Sequence, residues 1–390
     1  MIKAKIINLL KKEFLNMNKI EATVVADSIN PQKDRLTSVL VTMPRIILSE
    51  MNTHRMLSKN TSSSRAIPFK KMVEAVQENP FIPIAWQKEH TGMQGNEYIT
   101  DEENIQTCVD DWLVARNSAI ESAKTLNKGF NKKDEQGNWI KTEEIDFVDK
   151  VTKQLCNRLL EPFMWTTMLI TGSKEGWDNF FNLRCPVYYY AGNDKSYKSK
   201  KELLPILLND FGEAPVDSFW HNINKGQAEI HMMALAESIY DAMNESTPKQ
   251  LQAGEWHVPF EDKIQIAEDI GTKEQVYETK VKISTAMAAR TSYTIVGDEK
   301  EIDYQKMVDL HDRLLSQDPP HSSPLEHCAR AMSDEEYVSF IKGVPDMIEY
   351  EKDEIAISYL KTYEDSPEAG WCNNLKGFIP YRYMIDNNLI

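Results

Sequence analysis

The stretch Asn52-Thr53-His54-Arg55-Met56-Leu57-Ser58-Lys59-Asn60-Thr61-Ser62-Ser63-Ser64-Arg65-Ala66-Ile67-Pro68 decides how this chain is read. Upstream of it, Arg45 to Met56 has helical periodicity, with Ile46, Ile47, Met51 and His54 roughly on one side. From Leu57 to Lys70 that pattern breaks into Ser, Thr and Asn, residues whose short side chains bond local backbone groups. His54, Arg55, Ser58, Asn60, Ser63 and Arg65 form an array of cationic and neutral hydrogen-bond donors. Such an array suits a phosphate next to a heteroaromatic ring, because a guanidinium grips phosphate with two parallel bonds and Ser or Asn satisfies ring carbonyls and N–H groups. On chemistry alone, a helix C-terminus followed by a serine-rich turn reads equally well.

Outward from this segment, Glu21–Ile29 and Arg35–Met43 are strand-like runs around an Asn30-Pro31 turn, which predicts a hairpin. Residues 1–19 read as a short basic amphipathic helix. Helical patterns occupy about 103–127, most of 145–184 with a break at Thr171-Gly172-Ser173, then 225–245 and 300–317. Val276–Thr285 reads as a strand. Polar loops fall at 128–144 and 192–202, and a turn at Asp318-Pro319-Pro320. No repeat and no clear linker divides the chain, so the expectation is one interwoven α+β unit with a central antiparallel sheet and helices.

With 390 residues, 41% apolar and 27% charged, the chain carries enough apolar material for a core. Its net charge of −15 argues against a general polyanion binder but leaves room for a small anionic ligand held by a few arginines. The five cysteines are scattered without a CxxC pair, so neither a zinc ribbon nor a disulfide framework is indicated. No run of 18 apolar residues exists, and no secretory cleavage pattern follows the N-terminus; a cytoplasmic protein that binds neither membrane nor nucleic acid is expected. His321, Glu326, His327 and Asp318 could tempt a metal reading, but they lack an H-E-x-x-H helix and a proline interrupts them, so no metal is expected. The alternative is a capped turn with a buried ion pair. Trp256–Phe260 and Gly377–Arg382 are conspicuous and receive no role.

The spacing H-R-x-x-S-x-N-x-x-S-x-R, carried by His54, Arg55, Ser58, Asn60, Ser63 and Arg65, resembles the signature of the flavin-dependent thymidylate synthases. Further elements are similar. Asn182-Leu183-Arg184 followed by Gly226-Gln227-Ala228-Glu229-Ile230 resembles the family's Asn-Leu-Arg and A-Q-x-E-I pair, with 185–222 read as an insertion. Arg158–Pro162 resembles its R-x-x-L-P step, and Asn179 matches a flavin-contacting Asn. Ala289-Arg290-Thr291-Ser292 and His321–His327 resemble elements that in the family precede the signature; here they follow it, so the chain looks circularly rearranged. Thr53, Glu50 and Thr61 depart from the family's Arg, Gln and acidic residue, which leaves the substrate detail open. The resemblance covers roughly 43–70, 158–240 and 285–330, a little under half the chain.

The resemblance implies the thymidylate synthase-complementing fold, with 43–70 as signature helix and loop and 285–330 as a flavin-contacting module. It implies conversion of dUMP to dTMP with FAD, NADPH and methylenetetrahydrofolate, in a homotetramer whose sites span subunit interfaces. By that carry-over, Ser63, Arg65, Arg158 and Arg184 hold the nucleotide, with Arg184 and Ser63 nearest the chemistry. His54, Arg55, Asn60, Asn179, Ser292 and Ser323 line the flavin. No cysteine has a nucleophile's setting, as the flavin route requires none. A pyrimidine nucleotide hydroxymethylase, a cytosine-nucleotide variant and a flavin-free nucleotide-binding protein remain the alternatives.

Overall fold

The structure, a computed structural model, describes residues 20–91, 95, 97–130, 136–137, 150–266, 272–291, 303–318, 320–340 and 367–390. The expected helix at 1–19 and the candidate residue Ser292 lie outside them. In chain order the strands are β1 (Glu21–Ile29), β2 (Arg35–Pro44), β3 (Ser58–Thr61), β4 (Trp165–Ser173), β5 (Tyr188–Tyr190), β6 (Lys195–Tyr197), β7 (Lys249–Gln250), β8 (Trp256–His257), β9 (Ala329–Ala331), β10 (Trp371–Cys372), β11 (Leu375–Lys376) and β12 (Phe378–Pro380). The α-helices are α1 (Leu48–Met51), α2 (Phe69–Glu78), α3 (Glu102–Lys128), α4 (Lys153–Arg158), α5 (Lys174–Arg184), α6 (Lys200–Phe211), α7 (Asp217–Ile223), α8 (Ile230–Glu245), α9 (Lys273–Arg290), α10 (Tyr304–Leu315), α11 (Asp334–Ser339) and α12 (Tyr381–Asp386).

The main sheet runs β3-β4-β2-β1-β7. Its first four strands pair antiparallel, as expected, but β7 joins β1 in parallel, so the sheet is mixed and the architecture α+β. The predicted hairpin is present as β1 and β2, with Val24 and Ala26 flanking an irregularity at which the Val25 carbonyl accepts from Phe260 N.

Three elements differ from the sequence reading. The helical pattern assigned to 145–184 contains β4 instead, flanked by α4 and α5. Buried on both faces, β4 shows no alternation to betray it. The supposed break at Gly172 is a close approach within the strand: a Cβ there would push the end of the Leu57 side chain aside. The predicted strand Val276–Thr285 is the middle of α9, started by a capping box in which Thr272 and Gln275 satisfy each other's backbone N–H groups. Arg45–Met56 forms only a 3-10 turn (Arg45–Ile47) and the four-residue α1, and the expected loop after it includes β3. The predicted helices near 103–127, 225–245 and 300–317 are α3, α8 and α10.

Side-chain alternation divides the sheet into two faces. Val39, Val41, Met43, Met168 and Ile170 point one way, into a core with Trp177, Phe180 and Phe181 of α5 and Met232, Leu235 and Ile239 of α8. Leu40 and Leu169 point the other way, against Ala288 of α9 and Phe260. The C-terminal elements β8, β9 and β12 form a small sheet of their own, whose Ala329, Ala331 and Phe378 pack on Leu36. Residues 185–222 hold β5, β6, α6 and most of α7, gathered on a separate cluster of Tyr188, Tyr190, Leu203, Leu207 and Trp220. Among the described residues, no helix is long and apolar enough to cross a membrane.

Candidate active site on an edge strand

β3 is an edge strand, and its period-two alternation sends neighbouring signature residues to opposite faces. Lys59 pairs in register with Ile170, on the α5 side; Ser58 and Asn60 pair with Thr171 and Leu169, on the α9 side. The signature therefore serves two environments at once.

On the α5 side, α1 ends and the chain turns so that His54 is buried edge-on against the Phe180 ring, centroids 4.9 Å apart. Arg184, the last residue of α5, donates from Nε to His54 Nε2 at 3.0 Å and pairs through Nη1 with Glu50 at 3.3 Å. A guanidinium can only donate, so His54 Nε2 accepts and the ring is neutral with its proton on Nδ1. Desolvation, then the Arg184 and Lys59 charges, push the His54 pKa down to about 4. Lys59 Nζ donates to the carbonyls of His54 (2.5 Å) and Met51 (3.4 Å), closing the end of the short helix. Burial lowers the Lys59 pKa to about 8, against a raising influence from Glu326.

On the α9 side, Asn60 Nδ2 donates to the Ala288 carbonyl. Ser323 Oγ donates to the Lys59 carbonyl at 3.2 Å and lies 3.5 Å from Asn60 Oδ1. Ser323 opens a 3-10 turn, Ser323–Glu326, whose Glu326 is ion-paired with Arg382. The C-terminal segment, far away in sequence, thus lies on the signature strand. The β10–β11 turn reaches the same strand: Asn374 Nδ2 donates to Ser58 Oγ at 2.9 Å and to the Met56 carbonyl at 3.3 Å.

A second corner lies beyond β3. Asn157 Nδ2, at the end of α4, donates to the carbonyls of Ser64 (2.7 Å) and Ile67 (3.0 Å). That strap sets Arg158 beside the loop carrying Ser63 and Arg65. Arg45 Nη1 donates to the Ser62 carbonyl at 2.7 Å and Nη2 meets Glu161 at 3.4 Å, while desolvation leads the lowering of its pKa, with Arg158 contributing. Ser63 Oγ accepts from Arg65 N at 3.3 Å and has no base beside it among the described residues. The guanidiniums of Arg55, Arg65 and Arg158 are exposed and bond no described residue.

Of the sequence-predicted residues, the structure therefore groups His54 with Arg184 and Asn60 with Ser323, and through Asn157 it ties the loop of Ser63 and Arg65 to the end of α4, which carries Arg158. It makes no direct bond between Arg184 and that last corner. Asn179 sits on the exposed face of α5. The residues that sequence reasoning missed are Lys59, Asn157, Asn374 and Arg382. Lys59 fell at a variable position of the motif, Arg382 closes the conspicuous Gly377–Arg382 run that received no role, and Asn157 and Asn374 act across the fold and leave no local signal. His321 is exposed and His327 fully buried on Thr171, while Glu326 pairs with Arg382 in a partly exposed position, so the turn is present without the expected buried ion pair of its histidines.

The donor set fits a flavin dinucleotide and a nucleotide phosphate. The exposed groups at these corners are the guanidiniums of Arg55, Arg65 and Arg158 and the Asn179 amide, and the neighbouring carboxylates Glu50, Glu161 and Glu326 are paired with Arg184, Arg45 and Arg382.

No family model matches the sequence. No curated protein matches it either. Among solved structures, the chain is similar to the UMP/dUMP methylase PolB from Streptomyces cacaoi bound with 5-Br dUMP, at 12% identity and a TM-score of 0.37, over 58% of this chain and 91% of that one. The same methylase bound with 5-Br UMP gives 13% identity and a TM-score of 0.36, over 58% and 90%. An overlap this loose leaves the assignment to the chain's own residues.

Proposed function

We propose that this chain is a flavin-dependent methylase of a uridine nucleotide, converting dUMP to dTMP with FAD, NADPH and methylenetetrahydrofolate. One observation carries the reading: two segments that resemble family elements, one of them out of the family's order, meet the signature segment 54–60. Arg184 reaches His54 at its start, and Ser323 bonds the Lys59 carbonyl near its end. Their convergence is what a rearranged family member requires and what a chance motif does not supply.

In this reading Arg65 and Arg158, which bond no described residue, take the phosphate. Arg184, held in one orientation by Glu50 and His54, presents its guanidinium to the uracil ring and stabilises negative charge developing there. Arg55, Asn179 and the Asn60–Ser323 edge hold the flavin, which when bound supplies the reducing equivalents that a side chain cannot. A cysteine-nucleophile route finds poor support: burial raises the thiol of Cys328 to about 11 and those of Cys185 and Cys372 to about 12, so they stay protonated near neutrality. Assembly as a homotetramer, with sites completed across subunits, belongs to the same proposal.

Incubation of purified protein with dUMP, FAD, NADPH and methylenetetrahydrofolate tests it. Product of the mass of dTMP is expected. A hydroxymethylated product would redirect the assignment to the hydroxymethylase alternative, and no product with flavin bound would reject it.

A further inference from the structure

Between the sheet and the C-terminal elements runs a buried chain of polar groups that the proposed reaction does not use. Ser28 Oγ lies 2.9 Å from His257 Nδ1; His257 Nε2 lies 2.9 Å from Ser38 Oγ. Ser38 Oγ lies 2.6 Å from Thr171 Oγ1, and Thr171 Oγ1 lies 2.8 Å from His327 Nδ1. All five residues are buried, both histidines completely. The chain ends at His327 Nε2, a buried atom with no hydrogen-bond partner. Ser38 and Thr171 are direct cross-strand neighbours, and the next residue on that rung is Ser58, which Asn374 bonds. A line of hydroxyls thus crosses the sheet up to the signature strand, and each hydroxyl receives a group from the C-terminal side.

We propose that this chain is the lock that docks the 321–331 segment on the sheet, making Thr171, His257 and His327 positioning residues for the Asn60–Ser323 edge. The claim about ligand rests on the flavin reading above; the claim about docking does not. Buried polar atoms are costly when unpaired, so a displaced segment would strand His327 Nδ1 and take from Thr171 one of its two partners, where an apolar interface would tolerate sliding; Ser38 and His257 would keep their bond to each other. Leu325, the neighbouring apolar residue of the turn, packs with α9 residues and not with the sheet, so it does not fix the register on β4. His327 lies four residues after Ser323, and its bond to Thr171 fixes the turn from which Ser323 reaches the Lys59 carbonyl.

Thr171→Val keeps the shape and removes the hydroxyl; Thr171→Ser keeps the hydroxyl; Ser38→Ala cuts the chain one step away should the valine variant not fold. Amide hydrogen exchange in 321–331 should accelerate at least about ten-fold in Thr171→Val or Ser38→Ala, with α2 and α3 unchanged, and return towards wild type in Thr171→Ser. FAD affinity, followed by flavin fluorescence on folded protein, should fall about ten-fold in the same two variants and recover in the serine variant. Uniform acceleration over the whole molecule, or no acceleration, would overturn the lock. Loosened exchange with equal FAD affinity in all proteins would overturn the positioning role. Wild type that takes no FAD would reject the flavin reading and with it the positioning role, while the exchange pattern would still decide the lock.

Discussion

The two faces of the central sheet achieve contact by different means. Towards α5 and α8, Val39, Val41, Met168 and Ile170 meet Trp177, Phe180 and Ile239 in one apolar cluster, with His54 and Lys59 at its β3 edge. Towards α9 and the C-terminal strands, the apolar contact of Leu169 with Ala288 and Phe260 is interrupted by Ser38, Thr171, His257 and His327. The first interface gains free energy in proportion to the area it buries and tolerates repacking. The second gains little net from each hydrogen bond but penalises every misplacement, because a donor or acceptor is then stranded. One face supplies stability and the other supplies register, and the signature strand stands at the edge of both.

The largest expected effect attacks the apolar face. Ile170→Ala should cost about 2–5 kcal/mol of unfolding free energy, seen as a lowered urea midpoint with unchanged slope. A loss confined to the β3 edge, with the global midpoint intact, would mean that the apolar face is not the shared core described above.

Acid should distinguish the faces next. His257 and His327 have pKa values pushed down to about 4 and about 3 by burial, and His54 to about 4 by burial and by Arg184 and Lys59. Around His257 stand Asp27 and Glu261, which raise its pKa, and Lys249, which lowers it; His257 itself lowers His327. Each folded value lies below the ordinary value of 6.5. The unfolded chain therefore binds more protons as the pH falls, and the stability these groups contribute is complete above 6.5 and lost through about 4 to 3. Assigned ring-nitrogen NMR of the native protein at pH 5.5 should show neutral imidazoles at His54, His257 and His327. An imidazolium shift assigned to His257 or His327 at that pH would contradict the polar face as drawn.

Ligand binding sharpens the comparison within the site itself. Arg184 is already paired with Glu50 and His54, whereas Arg65 and Arg158 bond no described residue. Arg184→Ala should weaken dUMP binding by about 1.5–3 kcal/mol, roughly 10- to 150-fold, and weaken FAD less. Arg184→Lys should rescue only in part, since an ammonium lacks the planar fork. Calorimetric titration of both ligands decides it; unchanged dUMP affinity would make Arg184 a structural ion pair. The smallest effect is on folding, by the exposed guanidiniums: Arg65→Ala and Arg158→Ala should each change stability by no more than about 0.5 kcal/mol while still lowering dUMP affinity.

Much of the apolar face was legible in the sequence. The β1–β2 hairpin announced itself through two strand-like runs around Asn30-Pro31, and α3, α8 and α10 through apolar periodicity. β4 was hidden because burial on both faces removes alternation, and α9 because its β-branched residues mimic a strand while its start depends on the Thr272–Gln275 pair. The signature residues were visible by spacing, yet their division between two faces follows from β3 being a strand, which a Ser- and Asn-rich run conceals. The polar lock was illegible for a different reason. Ser28 and Ser38 are isolated ordinary residues, and Thr171, His257 and His327, though each falls in a run the sequence singles out, stand far apart in the chain; their relation exists only after strand pairing brings them into line.

The central claim is that the segments meeting at the signature, 54–60, build one site for a flavin and a uridine nucleotide together. The absorbance spectrum of the purified protein after incubation with FAD and desalting, recorded before and after addition of dUMP, tests it most directly. Retained flavin whose spectrum shifts on addition of dUMP, and does not shift in Arg65→Ala at the same nucleotide concentration, is the result this account predicts. A colourless protein, or bound flavin indifferent to dUMP, would contradict it.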